Sequence, residues 1–493
     1  MERVVIIGGG PAGLTAAYEL GKVGIRSVVL EKGSRVGGLA RTEEYKGYRM
    51  DIGGHRFFTK VGEVEALWRE VLGPDFVKRP RLSRIYYNRK MFLYPLRFGD
   101  ALSKLGLAES ARIVLSYVRS WLLPDRPEHT FEEWVSNRFG RRLFEIFFKS
   151  YTEKVWGIPC SEIGAQWAAQ RIQSLSLPRA VWSAVFGQRG GKVKSLIQEF
   201  HYPRLGPGML WERVAEIVES RGSTVRLNVE VVRVLHRGGR VNGVVIRGDG
   251  CEETIEAGAI ISTMPVSDLI ARLDPPAPDD VRAGADRLTY RDFLTVALII
   301  NRAEVFPDNW IYVHAPDVQV ARIQNFKNWS LDMTADPAKT CLGLEYFCTE
   351  GDALWRLSDA DLIHLASNEL ERIGLATTSD VIDGVVFRQP KAYPVYTGEY
   401  QAHLENIRRF LALIPNVQTV GRNGLHMYNN QDHSMLTAML AVRNLLGEQH
   451  DVWSVNVERS YHEEVRLPSQ TQSETGPRAG QPVLGGIGTA SLD

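Results

Sequence analysis

Hydrophobic positions along this chain follow two periods. Val4–Ile7 is a continuous apolar, β-branched run of the kind a strand buried on both faces requires. A glycine-rich turn, a helical pattern and a second apolar run at 28–30 follow, which together predict a strand–turn–helix–strand unit. Val61, Val64, Leu67, Trp68 and Leu72 then recur at helical spacing, and SRIYYNRKMFLYPL reads as a hairpin turning near Asn88-Arg89. From about 98 to 177 the pattern is mainly helical. Strand patterns return in TVRLNVEVVRVLHRGGRVNGVVIRGDG, with turns at Gly238-Gly239 and Asp249-Gly250, and in AGAIISTMP. FLTVALIINR and TCLGLEYFC predict another sheet, Asp359–Ile373 a helix and KAYPVY a strand. SMLTAMLAVRNLLG predicts a helix with Met435, Leu436, Met439, Leu440, Val442 and Leu446 on its apolar side. Asn430 or Asp432 can cap its start, and Gly447 can stop it.

A dense polar run, Asn429 to Ser434, precedes that last helix, more crowded than a plain surface loop needs. The segment from about 467 is rich in Gly, Ser, Gln and Pro and reads as a disordered tail. The order of elements predicts an α/β fold.

Composition narrows the classes of partner. The 493 residues suffice for two or three domains, and 44% apolar with 24% charged is ordinary for a globular protein. A formal charge of +1 gives no global field for nucleic acid, so no nucleic-acid partner is expected. The four cysteines, Cys160, Cys251, Cys341 and Cys348, include no Cys-x-x-Cys pair and read as buried thiols in a reducing compartment. No metal motif occurs among the eleven histidines, and no metal is expected. Glycines, Glu19 and Lys22 interrupt the opening apolar run, so it is not read as a signal peptide, and no apolar run is long enough to span a bilayer. The expected location is cytoplasmic. The stretch containing Arg112 and Arg119 has two readings: a membrane-surface helix making weak peripheral contact, and, preferred, a helix packed within its domain.

The opening unit points to a ligand class. Gly8, Gly10 and Gly13 have the G-x-G-x-x-G spacing. The first permits a tight turn, the second lets a pyrophosphate approach the backbone, and the third lets helix pack on strand. The helix start then offers its unpaired N–H groups and positive dipole end to phosphate. Glu31 ends the second strand roughly 20 residues on, placed to accept from ribose hydroxyls. The alternative is a glycine-rich turn in some other α/β unit.

Beyond that turn the sequence resembles a superfamily. Arg35-x-Gly37-Gly38 after the acid resembles the second glycine motif of FAD-dependent amine oxidases, protoporphyrinogen oxidases and UDP-galactopyranose mutases. Asp51-Ile52-Gly53-Gly54-His55 resembles the backbone that passes the flavin ring in those enzymes, where glycines suit close approach to a flat ring. Lys149-Ser150-Tyr151-Thr152-Glu153-Lys154-Val155-Trp156-Gly157 is similar to the Tyr-Thr-Glu-Lys-x-Trp-Gly phrase of the mutases, and Gly421-Arg422 followed by Tyr428 is similar to their Gly-Arg and tyrosine steps. Tyr393-Pro394-Val395 resembles their tyrosine–proline strand, and Tyr290-Arg291 echoes a Tyr-Arg pair. Three positions depart from the mutase pattern: Phe58 stands at a second histidine, Asn430 at an aspartate and Gln431 at a methionine.

The resemblance implies bound FAD and an enzyme. It implies an α/β fold with a discontinuous Rossmann-type FAD-binding domain in pieces at 1–60, 206–270 and 411–466, into which a mainly helical substrate region at 61–205 and a mixed substrate-domain sheet with helices at 271–410 are inserted, and a flexible tail at 467–493. Cofactor contacts are implied for Gly8, Gly10, Gly13, Glu31, Gly37, Gly38, Gly53, Gly54, His55, Val231 (beside the adenine), Gly421, Arg422, Asn430, Gln431, Ser434 and Met435. Catalytic positions are implied for His55, Arg171, Tyr393, Arg422 and Tyr428, with Tyr151 and Trp156 contacting substrate. Matching Arg171 requires a one-residue gap. Both aromatics also have a plain reading as core residues. The implied substrate is a small molecule, a UDP-sugar in the mutase reading, which proceeds with no net redox change. The alternative is an amine oxidase or protoporphyrinogen oxidase type of hydride transfer from a C–N or C–C bond, and a third reading keeps FAD as a structural group without turnover. An oligomeric state is left open.

Overall fold

The computed structural model describes residues 3–96, 98–165 and 199–455. Arg171 and the 467–493 tail lie outside the described residues. Four separated stretches of chain build one parallel sheet. Its strand order is Val417–Thr419, Ala259–Ser262, Val4–Ile7, Ser27–Leu30 and Thr224–Arg226. Strand alternation divides Val4–Ile7 between two cores. Val4 and Ile6 pack with Leu14, Tyr18, Trp68, Trp211 and Met439, under the helices Pro11–Lys22, Gly62–Leu72, Gly208–Ser220 and Gln431–Leu445. Val5 and Ile7 pack with Val231, Val234, Val244 and Ile246 of a second, four-stranded sheet. Burying each such side chain contributes about 1.5–3 kcal/mol, which is why a run of four apolar residues here is central rather than edge.

The inserted sheet has seven strands. Their order is Val381–Pro394, Tyr290–Ile300, Thr340–Cys348, Arg322–Asn325, Trp310–Val313, Ser83–Tyr87 and Lys90–Leu93. All pairs are antiparallel except Trp310–Val313 with Ser83–Tyr87. The expected hairpin is present, and Asn88 and Arg89 both take positive φ (48° and 59°), the geometry of its two-residue turn. One face packs on the helix Asp359–Ile373 through Leu298, Leu342, Leu362 and Leu370. Directly paired residues share a face, so Tyr312, Arg322 and Glu345 stand side by side on the other.

Three sequence expectations are revised. The KAYPVY strand starts ten residues earlier, at Val381, because its ladder with Tyr290–Ile300 runs almost the whole way along. Its half-buried, unpatterned sequence hid it, since an edge strand is held by main-chain hydrogen bonds more than by a buried face. Packing within the domain, preferred for the helix Leu107–Leu122, accounts for one buried side chain only, Ile113. Leu446, assigned to an apolar face, lies one residue past the end of Gln431–Leu445 and is 43% exposed. No described helix is long and apolar enough to cross a membrane.

A small hairpin, Thr42–Tyr45 with Tyr48–Asp51, links the two regions. Fully buried Asp51 accepts from the hydroxyls of Thr42 (2.8 Å) and Tyr202. Desolvation pushes its carboxyl up to about 7, and the two hydroxyl donors offset that only in part. A raised acid pKa makes stability highest below the unfolded value near 3.8 and lowers it until the folded value is passed. Between pH 5 and pH 8 the native protein should therefore lose on the order of 2 kcal/mol that Asp51→Asn keeps, roughly 2 °C of Tm at this size. Differential scanning calorimetry of both proteins at the two pH values measures it. Equal slopes would show that Asp51 ionises freely.

Candidate functional site

The dinucleotide turn is assembled by backbone contacts that tolerate no side chains. A Cβ on Gly13 would lie 1.9 Å from the Gly8 carbonyl oxygen, and one on Gly8, at φ +100°, would lie 2.1 Å from Thr263 Oγ1. The second glycine motif folds onto the first: Gly37 N–H donates to Gly9 O (2.8 Å), and a Cβ on Gly38 would lie 3.1 Å from Gly10 Cα. Glu31 holds both loops. One carboxylate oxygen accepts from Gly9 N–H and the other from Gly33 N–H, both at 2.7 Å. The helix Pro11–Lys22 has no side-chain cap at Gly10, so its start is left to a ligand anion. This cradle fits a dinucleotide on its own geometry.

The helix Gln431–Leu445 packs against that first helix. Gly421, at φ +82°, makes the close approach possible, since a Cβ there would lie 3.1 Å from Ala12 Cβ. The polar run before it is a helix cap. Asn430 is the N-cap residue, and its N–H donates to His433 Nδ1 (3.2 Å). Gln431 accepts from Trp211 Nε1 (3.1 Å), and Ser434 is buried in the first turn. Met435 goes elsewhere: fully buried, its sulfur accepts from Trp68 Nε1 in the core. Val231 likewise spends its side chain in the core, and its carbonyl accepts from Arg272.

Between this helix start and the inner face of the seven-stranded sheet lies a cluster of arginines and aromatic rings. The guanidinium of Arg422 lies 5.1 Å from the Tyr393 ring and 5.0 Å from the Tyr428 ring. Arg422 is fixed there by donating to the carbonyls of Asn429 (2.9 Å) and Ala392 (3.0 Å). The two tyrosines stack at 5.5 Å and 18°. Arg322 donates to the Tyr393 hydroxyl (3.2 Å) and pairs with Glu345, a fully buried carboxylate that also accepts from Gln324. Tyr151 stacks on His314 at 4.9 Å and meets Tyr312 edge-on at 5.5 Å. Further along the same face, Arg56 and Arg81 both lie over the Trp310 ring, at 5.4 and 5.8 Å.

Gly53, Gly54 and His55 close over this face. A Cβ on Gly54 would meet the Gln324 amide at 3.4 Å, and Gly53 takes φ +87° with Phe293 beyond it. His55 Nδ1 donates to Gly53 O (2.9 Å), which leaves Nε2 as an acceptor. Desolvation, reinforced by the positive charges of Arg422 and Arg322, pushes its imidazole down to about 3, so it is neutral at working pH. Burial raises the Tyr151 and Tyr393 phenols, which stay protonated.

In the 149–157 phrase Tyr151 reaches this cluster, and Val155 packs beside Tyr151 and Tyr393. Lys154 ties the helix Ser150–Trp156 to the sheet by donating to the carbonyls of Val313, Ala315 and Val320. Gly157 has φ +69° and leaves room for Arg291, whose Cζ would lie 2.5 Å from a Cβ. Trp156 is buried with Phe131, Phe144 and Ile163, in a cluster against which Tyr312 and Tyr428 pack, and its ring lies 6.2 Å from that of Tyr396. Sequence reasoning missed Arg322, Glu345, Gln324, Arg56 and Arg81. One of them left a signal: Glu345 is the single charged residue inside the otherwise apolar strand TCLGLEYFC.

The sequence pattern of flavin-containing amine oxidoreductases matches residues 11–427. A coproporphyrinogen III oxidase of Mycobacterium leprae is 25% identical over 451 residues, 86% of this chain and 93% of that protein. The crystal structure of a reduced UDP-galactopyranose mutase superposes with a TM-score of 0.79 at 21% identity, covering 91% of this chain and 94% of its own. A putrescine oxidase double mutant superposes with a TM-score of 0.60 at 16% identity, over 91% and 99%.

Removing the Glu31 carboxylate deletes two charge-assisted hydrogen bonds that hold the cradle, each worth about 1.5–3 kcal/mol. Glu31→Ala should therefore weaken binding of the dinucleotide at least about tenfold. The flavin absorbance of the purified protein, with titration of added FAD, measures it; undiminished occupancy would remove Glu31 from the cradle.

Proposed function

This chain belongs to the flavin-containing amine oxidoreductase family and is an FAD-dependent enzyme, and we propose that it rearranges an anionic nucleotide-sugar without net oxidation or reduction. One observation carries the reading: the fixed Arg422 guanidinium lies over the Tyr393 ring, Arg322 donates to the Tyr393 hydroxyl, and the His55 imidazole within reach of their positive charge is neutral. A substrate ammonium would meet this potential as a like charge. A diphosphate meets the Arg422 guanidinium as an opposite charge. The faces of Tyr151, Tyr312 and Tyr428 suit stacking on a base or sugar ring.

Bound FAD supplies nucleophilic or hydride-accepting chemistry. The residues of this chain do the rest. Arg422, and Arg171 by the mutase resemblance, hold the diphosphate. Tyr393 accepts from Arg322 and keeps its own O–H to donate. His55 Nε2 accepts a substrate hydroxyl. Gly8, Gly10, Gly13, Glu31, Gly37, Gly38, Gly53, Gly54 and the start of Gln431–Leu445 hold the cofactor. Cys160, Cys341 and Cys348 are buried as expected, whereas Cys251 is exposed, and a free surface thiol suits a reducing, cytoplasmic setting.

A second reading is hydride transfer from a carboxylated substrate. Its support is the mycobacterial coproporphyrinogen III oxidase, aligned over 93% of its length, together with a cationic wall that suits carboxylates as well as phosphate.

Two assays separate the readings. Anaerobic protein reduced with dithionite should interconvert UDP-galactopyranose or a related nucleotide-sugar without consuming electrons, and oxidised protein should not. Arg422→Ala should raise KM for that substrate about tenfold or more, through loss of a charge-assisted contact of about 1.5–3 kcal/mol. Hydrogen peroxide production from a porphyrinogen or an amine in air, with no sugar turnover, would overturn the proposal.

A further inference from the structure

The helix Leu107–Leu122 turns Ile113, Tyr117 and several polar side chains toward the protein. Glu109 pairs with Arg142, Ser116 Oγ accepts from Arg142 N–H (3.0 Å), and Ser110 Oγ donates to Leu102 O (2.9 Å). The Tyr117 backbone sits close against Gly140, where a Cβ would lie 2.8 Å from Tyr117 N. These contacts fix the helix on the element Phe131–Phe139 and the short turn of helix after it. Its apolar side faces outward. Leu107, Val114, Leu115, Val118 and Leu122 follow one another at helical steps, with Leu107 93%, Leu115 69% and Trp121 70% exposed. Such a face, on a helix held rigidly by its other side, marks an interaction surface.

Charge identifies the occupant. The exposed cations on this helix are Arg112 and Arg119, and Asp125 and Arg126 follow just beyond it, both exposed. The helix's one acidic residue, Glu109, is drawn inward by Arg142 and also pairs with Arg112 at 3.4 Å, which leaves the patch net positive. Two copies of this face would oppose cation to cation. An anionic lipid surface meets the arginines with opposite charge and receives the leucines and the tryptophan at headgroup depth, the arrangement of an interfacial helix. We propose that the Leu107–Leu122 face docks the protein on an anionic bilayer surface, without spanning it. This docking is independent of the substrate reading.

Vesicle co-sedimentation of the FAD-loaded full chain tests it, using phosphatidylcholine vesicles with and without 30% phosphatidylglycerol. Binding should be at least about tenfold stronger to the anionic vesicles and should weaken with added salt. Arg112→Gln with Arg119→Gln should lower that affinity roughly thirtyfold. Leu115→Glu with Trp121→Glu should abolish binding while flavin absorbance and Tm stay at wild-type values. Absence of wild-type binding to anionic vesicles would overturn the proposal. So would unchanged binding by either variant, or a wild-type dimer that Leu115→Glu splits with no lipid binding.

Discussion

A buried carboxylate organises the site. Glu345 sits in the middle of an apolar strand, fully out of water, and accepts from both Arg322 and Gln324. Unpaired, such a charge would cost several kcal/mol, so its presence commits Arg322 to one position. Arg322 in turn holds the Tyr393 hydroxyl, and Tyr393 stacks on Tyr428 with Arg422 beside both rings. The geometry that faces the flavin cradle thus hangs from one acid three strands into the sheet.

The strand that delivers Tyr393 needs its own device. Between Arg291 and Phe293 the facing strand jumps from Tyr393 to Gln389, so extra residues bulge out of the ladder. Buried Asp292 pins the bulge by accepting from Lys391 N–H (2.6 Å) and Glu350 N–H, and Lys391 takes φ +51°. The bulge turns the Ala392 carbonyl toward Arg422 and the Lys391 carbonyl toward Asn423. Sheet and cofactor helix are joined through these main-chain acceptors.

The same cations explain the state of His55. Desolvation alone disfavours its charged form, and the positive potential of Arg422 and Arg322 adds to it. Permanent guanidiniums beside a neutral imidazole leave hydroxyls and Nε2, rather than an imidazolium, as the groups able to exchange protons there. The cradle side needs none of this, since backbone N–H groups and a helix start do the anion binding there.

The sequence by itself determined the parts that depend on local rules. Val4–Ile7, the spaced glycines and Glu31 specify the cradle because strand burial, turn geometry and close backbone approach each constrain a residue at a fixed step along the chain. The hairpin at Asn88-Arg89 and the helix Asp359–Ile373 were legible for the same reason. Tertiary structure decided which residues meet. Arg322 and Glu345 are 23 positions apart and Arg322 and Tyr393 71, and only strand pairing brings them together. Trp156 and Met435 carry the sequence features of site residues but turn into the core, because a helix has several faces and packing alone selects the one that faces a ligand. The outward apolar face of Leu107–Leu122 follows the same logic: periodicity showed an amphipathic helix, and its contacts with Arg142 and Gly140 decided which side points away.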